Sequence, residues 1–135
     1  MLIRSRAVAV ALTALVAFIG LGACSSGPDA VTDVSVADAA AVLAEPDVIV
    51  IDVRTPAEYA SGHLADAVNI DVEDGGFDTQ VGELAKDGTY LVYCHSGNRS
   101  GVAADRMAEL GFTTIYNLQG GVTDWTANGG QLVTS

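Results

Sequence analysis

The chain alternates short β-branched runs with segments whose apolar positions recur at helical spacing. Val48-Ile49-Val50-Ile51 is apolar without interruption, the pattern of a strand covered on both faces. Ala67-Val68-Asn69-Ile70, Thr89 to Tyr93 and Thr113 to Leu118 read as further strands. Helical signals lie between them. Ser35-Val36-Ala37-Asp38 opens a helix that runs on from Ala39 to Leu43. Thr55-Pro56-Ala57-Glu58 supplies a Thr cap, a Pro at the first helical position and a Glu at the capping-box position, and that helix stops at Gly62. After the acidic, glycine-containing loop from Asp71 to Gly76, a helix is predicted over Phe77 to Ala85. Another covers Val102 to Leu110, with an apolar stripe at Ala103, Met107 and Leu110 and a terminating Gly111. A last short helix runs from Gly121 to Asn128 and ends in Gly129-Gly130. Strand–helix alternation with such short connections predicts parallel pairing in a three-layer α/β fold.

The N-terminus breaks this rhythm. Met1 to Arg6 carries two arginines, Ala7 to Leu21 is an apolar run of 15 residues, and small residues follow. That is the layout of a secretory signal peptide, too short for the roughly 18 residues of a membrane span. Leu21-Gly22-Ala23-Cys24-Ser25-Ser26 resembles the lipobox of bacterial lipoproteins. The resemblance implies lipidation of Cys24 and export, with lipid anchoring on the extracytoplasmic face of the bacterial cell envelope, the membrane being a partner through the anchor. Two acyl chains, at about 0.8 kcal/mol per buried CH₂, suffice for stable anchoring. Residues 1–23 are thus expected as signal, 24–32 as a flexible tether rich in Ser, Gly and Pro, and 33–135 as one globular domain. Extended at about 3.3–3.6 Å per residue, the tether holds the domain within about 30 Å of the membrane.

Charge narrows the partners. The formal net charge is −11, and without residues 1–23 the chain keeps four basic against 17 acidic side chains. Nucleic acid is excluded as a partner by this balance. An anionic substrate would have to approach against the overall field, so local donors must hold it. The two cysteines, Cys24 and Cys94, are not a disulfide framework. No G-x-G-x-x-G follows a strand, and the reading calls for neither cofactor nor metal. Nothing in the pattern marks an obligate interface, so a monomer is expected.

The chemistry-bearing stretch is Cys94-His95-Ser96-Gly97-Asn98-Arg99-Ser100. It leaves the strand through Tyr93 and leads into a helix, so Cys94 falls at the C-terminal edge of the sheet, where open α/β sheets bind ligands. Backbone N–H groups turned inward and the positive end of a helix favour a thiolate or an anion on that sulfur. A merely buried strand-end cysteine is the competing reading; Gly97 and Arg99 beside the sulfur suit an anion pocket better. Asp52, Arg54, Glu58 and His63 are candidates to line the pocket mouth, although capping accounts for Thr55 and Glu58 and a carboxylate partner would account for Arg54. Trp125 reads as packing.

Asp52-Val53-Arg54, Glu58-Tyr59, Gly62-His63-Leu64, Ala67 and Asn69 resemble the opening segment of rhodanese domains. Cys94 to Arg99 resembles the rhodanese active-site loop, and Leu118-Gln119-Gly120-Gly121 with Trp125 and Gly129 resembles the closing segment. The resemblance implies a parallel five-stranded sheet flanked by helices and a cysteine that carries sulfane sulfur as a persulfide. Cys94 would be the nucleophile, with His95, Ser96, Gly97, Asn98 and Arg99 binding substrate through backbone N–H groups and the Arg99 side chain. The implied reaction moves sulfur from thiosulfate or a persulfide donor to a thiol or cyanide acceptor. A persulfide carrier or sulfur sensor without fast turnover is the alternative. Phosphatases similar in fold set the arginine one position further from the cysteine; the shorter spacing here suits sulfur over phosphate, and arsenate reduction has no support.

Overall fold

The computed structural model describes residues 28–134. The expected signal peptide, the lipobox and Cys24 lie outside those residues. Within them, five strands form one sheet: β1 (Val31–Val34), β2 (Val48–Asp52), β3 (Val68–Asn69), β4 (Thr89–Tyr93) and β5 (Thr114–Leu118). Their order is β1-β5-β4-β2-β3 and every pairing is parallel. The helices are α1 (Val36–Leu43), α2 (Pro56–Ser61), α3 (Phe77–Gly82), α4 (Asn98–Glu109) and α5 (Gly121–Ala127). No helix among the described residues is long and apolar enough to cross a membrane.

Strand periodicity divides the core into two layers. From β4, Tyr90 and Val92 point to one side, where they join Phe77 and Val81 of α3 and Ala103, Ala104 and Met107 of α4. Leu91 and Tyr93 point to the other, joining Ala39 of α1, Leu64 and Val122 of α5. Tyr90 through Tyr93 are each 0 % exposed, which is why this central strand is written as an unbroken apolar run.

The boundaries differ from expectation in informative places. Val31 and Thr32 fall in the stretch expected as tether, yet they pair with Ile115 and Tyr116 as part of β1, and Ala30 is buried. A four-residue edge strand with exposed Thr32 and Asp33 has no alternation strong enough to announce itself. The β3 ladder is only Val68–Asn69. α4 starts at Asn98, four residues earlier than the apolar stripe predicts, because Gly97 takes φ 100° and turns the chain directly from the cysteine into the helix. Its buried face is Ser100, Ala103, Ala104, Met107 and Ala108, and Leu110 is not part of it. Leu110 is instead the C-cap of a Schellman turn: Phe112 N–H donates to the Met107 carbonyl (3.1 Å) and Gly111 N–H to Ala108 (3.0 Å), with Gly111 at φ 101°.

Candidate active site

Cys94 is the first residue beyond β4 and is 1 % exposed. Its carbon packs into the layer between the sheet and α4, but its sulfur does not face hydrocarbon. The Gly97 N–H donates to Sγ at 3.0 Å, and the Ser100 hydroxyl lies 3.4 Å from Sγ. Burial pushes the thiol up, and the Ser100 hydroxyl together with the N–H groups of Ser100, Gly97 and Ser96 more than offsets it, leaving the Cys94 pKa below its ordinary value. The inward-facing donors thus come from Ser96, Gly97 and Ser100.

A loop turns its amides inward only if its carbonyls find partners elsewhere. Here α5 supplies them. Val122 N–H donates to the Cys94 carbonyl at 3.0 Å, and both the N–H and hydroxyl of Thr123 donate to the His95 carbonyl at 3.1 Å. That approach requires Gly121, at φ 54°, because a Cβ there would collide with the Cys94 carbonyl oxygen. Gly97 is confined less severely: a Cβ on it would sit 3.1 Å from the Gly120 nitrogen, at a φ of 100° that favours glycine. The closing segment therefore clamps the back of the cysteine loop.

The expected substrate-binding side chains fare differently. His95, Ser96 and Asn98 are exposed at the loop surface. Arg99 does not turn its terminal nitrogens to the sulfur: Nη1 and Nη2 each donate at 2.8 Å to the two carboxylate oxygens of Glu58. Glu58 simultaneously closes the α2 capping box with Thr55, accepting from its N–H (3.1 Å) and hydroxyl (3.0 Å). The Arg99 hydrogen bonds lower the Glu58 pKa against burial, with Thr55 adding to the effect, and hold it at about 2. Glu58 raises the Arg99 pKa in return, and the nearby charges of Cys94 and Glu73 add to this. Arg99 and Glu58 thus join α4 to α2 as a fixed rim.

Asp52, Arg54 and His63 were expected among the pocket-lining residues, and the structure gives them other work. Asp52 and Arg54 are 0 % and 3 % exposed and pair at 2.6 Å, while Arg54 Nη2 also donates to the Gly62 carbonyl. The Tyr93 hydroxyl donates to Asp52 (2.7 Å) and accepts from Leu64 N–H (3.0 Å). Asn69 bonds the carbonyls of Asp52 and Arg54. This buried network holds the α2 segment to the ends of β2 and β4. The His63 ring stacks on Tyr59 at 3.8 Å, and its Nδ1 lies 3.0 Å from the Tyr59 carbonyl, which can only accept, so Nδ1 carries the proton. Trp125 is packing, as expected, with Nε1 donating to the Gln131 carbonyl and Gly130 leaving room for its ring.

Ser100 is the functional residue that inspection of the loop passes over. The signal was present: Ser100, Ala103, Ala104 and Met107 are spaced as one helical face, so its hydroxyl had to be buried beside the cysteine and had to find a partner.

A parallel α/β sheet with a cysteine at the end of its central strand, its sulfur facing amide and hydroxyl donors, defines a thiolate-stabilising protein. The chain belongs to the rhodanese-like domain family, which it matches over residues 35–128. A sulfurtransferase of Allochromatium vinosum is 35 % identical over 83 residues, 62 % of this chain and 76 % of that protein. Among solved structures, a rhodanese-related protein from Thermoplasma volcanium is 28 % identical with a TM-score of 0.65, covering 76 % of this chain and 98 % of its own. A rhodanese with anions from E. coli is 32 % identical with a TM-score of 0.53, covering 65 % of this chain and 99 % of its own.

Proposed function

We propose that the protein is a sulfurtransferase that carries sulfane sulfur on Cys94 as a persulfide. The observation that carries this reading is Cys94 itself, 1 % exposed, its sulfur bonded at 3.0 Å by the Gly97 amide with Ser100 beside it. Family membership and the sulfurtransferase of Allochromatium vinosum support it. With thiosulfate as donor, the Cys94 thiolate attacks the outer sulfur and forms a new S–S bond. The sulfur–sulfur bond of thiosulfate breaks, sulfite leaves with its electron pair, and a persulfide anion remains. A thiol or cyanide acceptor then attacks the outer sulfur of the persulfide and releases the Cys94 thiolate. The donors around Sγ stabilise the anion that begins and ends this cycle. Arg99 and Glu58, locked to each other, shape the mouth.

The test is release of thiocyanate from thiosulfate and cyanide by the protein and by Cys94→Ser. Turnover lost in the variant supports the reading; equal turnover in both removes Cys94 from the chemistry. The burial of the sulfur also favours a second outcome, a carrier that protects its persulfide. A stable mass increase of one sulfur atom on Cys94 with negligible thiocyanate release identifies that case. We further propose export and lipid anchoring through Cys24, supported by the arginines, apolar run and lipobox-like segment of residues 1–26. Labelled palmitate incorporated by the wild type and absent from Cys24→Ala supports the anchor; no incorporation in either refutes it.

A further inference from the structure

The described residues contain four lysines and arginines, and each is already engaged. Arg54 pairs with Asp52, Arg106 with Asp78, and the Lys86 ammonium lies 4.0 Å above the Phe112 ring. Arg99, beside the reactive sulfur, faces two carboxylates: Glu58 at 2.8 Å and Glu73 at 3.6 Å. The rim therefore holds one fixed positive and two negative charges. Glu73 is anchored for this position. Its N–H donates to Asp71 Oδ1 (2.9 Å), and the preceding residue, Val72, is buried, with its N–H on the Val53 carbonyl and its own carbonyl on Arg106. The Glu73 side chain is 62 % exposed, so its charge stands in solvent at the outer side of Arg99.

Thiosulfate is a dianion approaching a thiolate, and nothing on this rim offers it a spare cation. We propose that Glu73 makes the Cys94 site selective for organic persulfides of low negative charge, those bearing an ammonium group near the sulfur above all, over dianionic thiosulfate. The inference rests on the sulfurtransferase reading and names its donor class. The step balances without an outside oxidant or reductant. The Cys94 thiolate attacks the outer sulfur of R–S–S–H, a new S–S bond forms, and the old one breaks. The electron pair leaves with R–S⁻, and the proton stays on the outer sulfur of Cys94–S–S–H.

The experiment measures single-turnover loading of Cys94, read as the mass gain of one sulfur atom, with thiosulfate and with cysteamine persulfide. Wild type and Glu73→Gln are compared at low and high salt. Wild type is expected to load faster from the persulfide, and added salt to speed only thiosulfate loading. With an approach distance taken as about 7 Å in water, removing one negative charge speeds dianion loading about sevenfold at low salt and about twofold at physiological ionic strength. Because the ammonium-bearing persulfide loses attraction, the ratio of thiosulfate to persulfide rates rises by at least these factors. A purely structural role for Glu73 would move both donors together. An unchanged ratio in Glu73→Gln, or thiosulfate loading that ignores salt, overturns the proposal while leaving the sulfurtransferase intact. Failure of both donors to load Cys94 in either protein refutes the sulfurtransferase reading, and the proposal with it.

Discussion

In the thiol form, Cys94 S–H donates to Ser100 Oγ at 3.4 Å while the Ser100 hydroxyl donates to the Gly97 carbonyl at 3.1 Å. Ionisation removes the S–H, so the single hydroxyl proton must rotate from the carbonyl to the sulfur. The Gly97 carbonyl is not stranded, because Gly101 N–H still donates to it at 3.2 Å. Ser100→Ala deletes this rotor. A hydrogen bond to a charged group is worth about 1.5–3 kcal/mol against about 0.5–1.5 for the neutral hydroxyl–carbonyl bond surrendered, the long bond from the weak S–H donor adding little, a difference of about 1–2 kcal/mol favouring the thiolate. At 1.36 kcal/mol per unit, the Cys94 pKa should rise by about one unit in the variant. Nucleophilicity rises with thiol pKa (Brønsted slope about 0.4–0.5), so each thiolate becomes about threefold more reactive while a tenfold smaller fraction is ionised. Iodoacetamide alkylation of Cys94, followed by peptide mass spectrometry across pH, should then show curves that cross. Ser100→Ala reacts about threefold more slowly below both pKa values and about threefold faster above them. Parallel curves, or a variant slower at every pH, would falsify the proton-switch account and leave Ser100 as packing.

The other predictions concern the supports. Tyr93→Phe strips a donor from buried Asp52 and an acceptor from Leu64 N–H, and should cost about 1–3 kcal/mol in urea unfolding; an unchanged midpoint would mean these groups find other partners. Gly121→Ala sets a methyl against the Cys94 carbonyl at a positive φ, so sulfur loading of Cys94, read by mass, should fall; full loading would show that the clamp can shift. Glu58→Gln should destabilise by no more than about 1 kcal/mol at neutral pH, since the pair is partly solvated. The sign with pH follows from a Glu58 carboxyl lowered from 4.5 to about 2: its contribution is complete above pH 4.5 and drains away as pH falls toward 2, so the gap between wild type and variant in urea titrations should narrow over that window.

What the sequence discloses depends on whether the cause is local. The unbroken Val48–Ile51 run and the apolar Tyr90–Tyr93 segment announce central strands because both of their faces are covered, and the Thr55–Glu58 capping box is complete within four residues. The strand–loop–helix setting of Cys94 is local too. The Arg99–Glu58 pair is not: it spans 41 positions, and each partner has a sufficient local explanation, Glu58 as a cap and Arg99 as an anion ligand. Asp52 and Arg54 sit two apart, and only the approach of Tyr93, Leu64 and Gly62 makes their burial tolerable. Gly120-Gly121 reads as a turn in any chain. Its purpose, clearance for the Cys94 carbonyl, exists only once α5 is docked.

The sulfur stands where two large effects oppose. Packed under α4 at 1 % exposure, it would by burial alone stay protonated, inert as a small apolar residue. The amides of Ser96, Gly97 and Ser100 and one hydroxyl turn that balance toward the anion. Because the net effect is a small difference, each donor counts for more than it would at an exposed thiol, and so does whatever aims the donors. That places Val122 and Thr123, which never touch the sulfur, among the residues that govern its reactivity: without their bonds the Cys94 and His95 carbonyls would have to seek partners inside the loop, and the amides could no longer all face in. The same burial would serve the sulfur-loaded state of the proposed reaction. In the proposed persulfide the outer sulfur would stand about 2 Å beyond Sγ, carried on a cysteine that is itself 1 % exposed. On the proposed function, reactivity and protection would therefore come from one arrangement, the donors and the burial around a single sulfur.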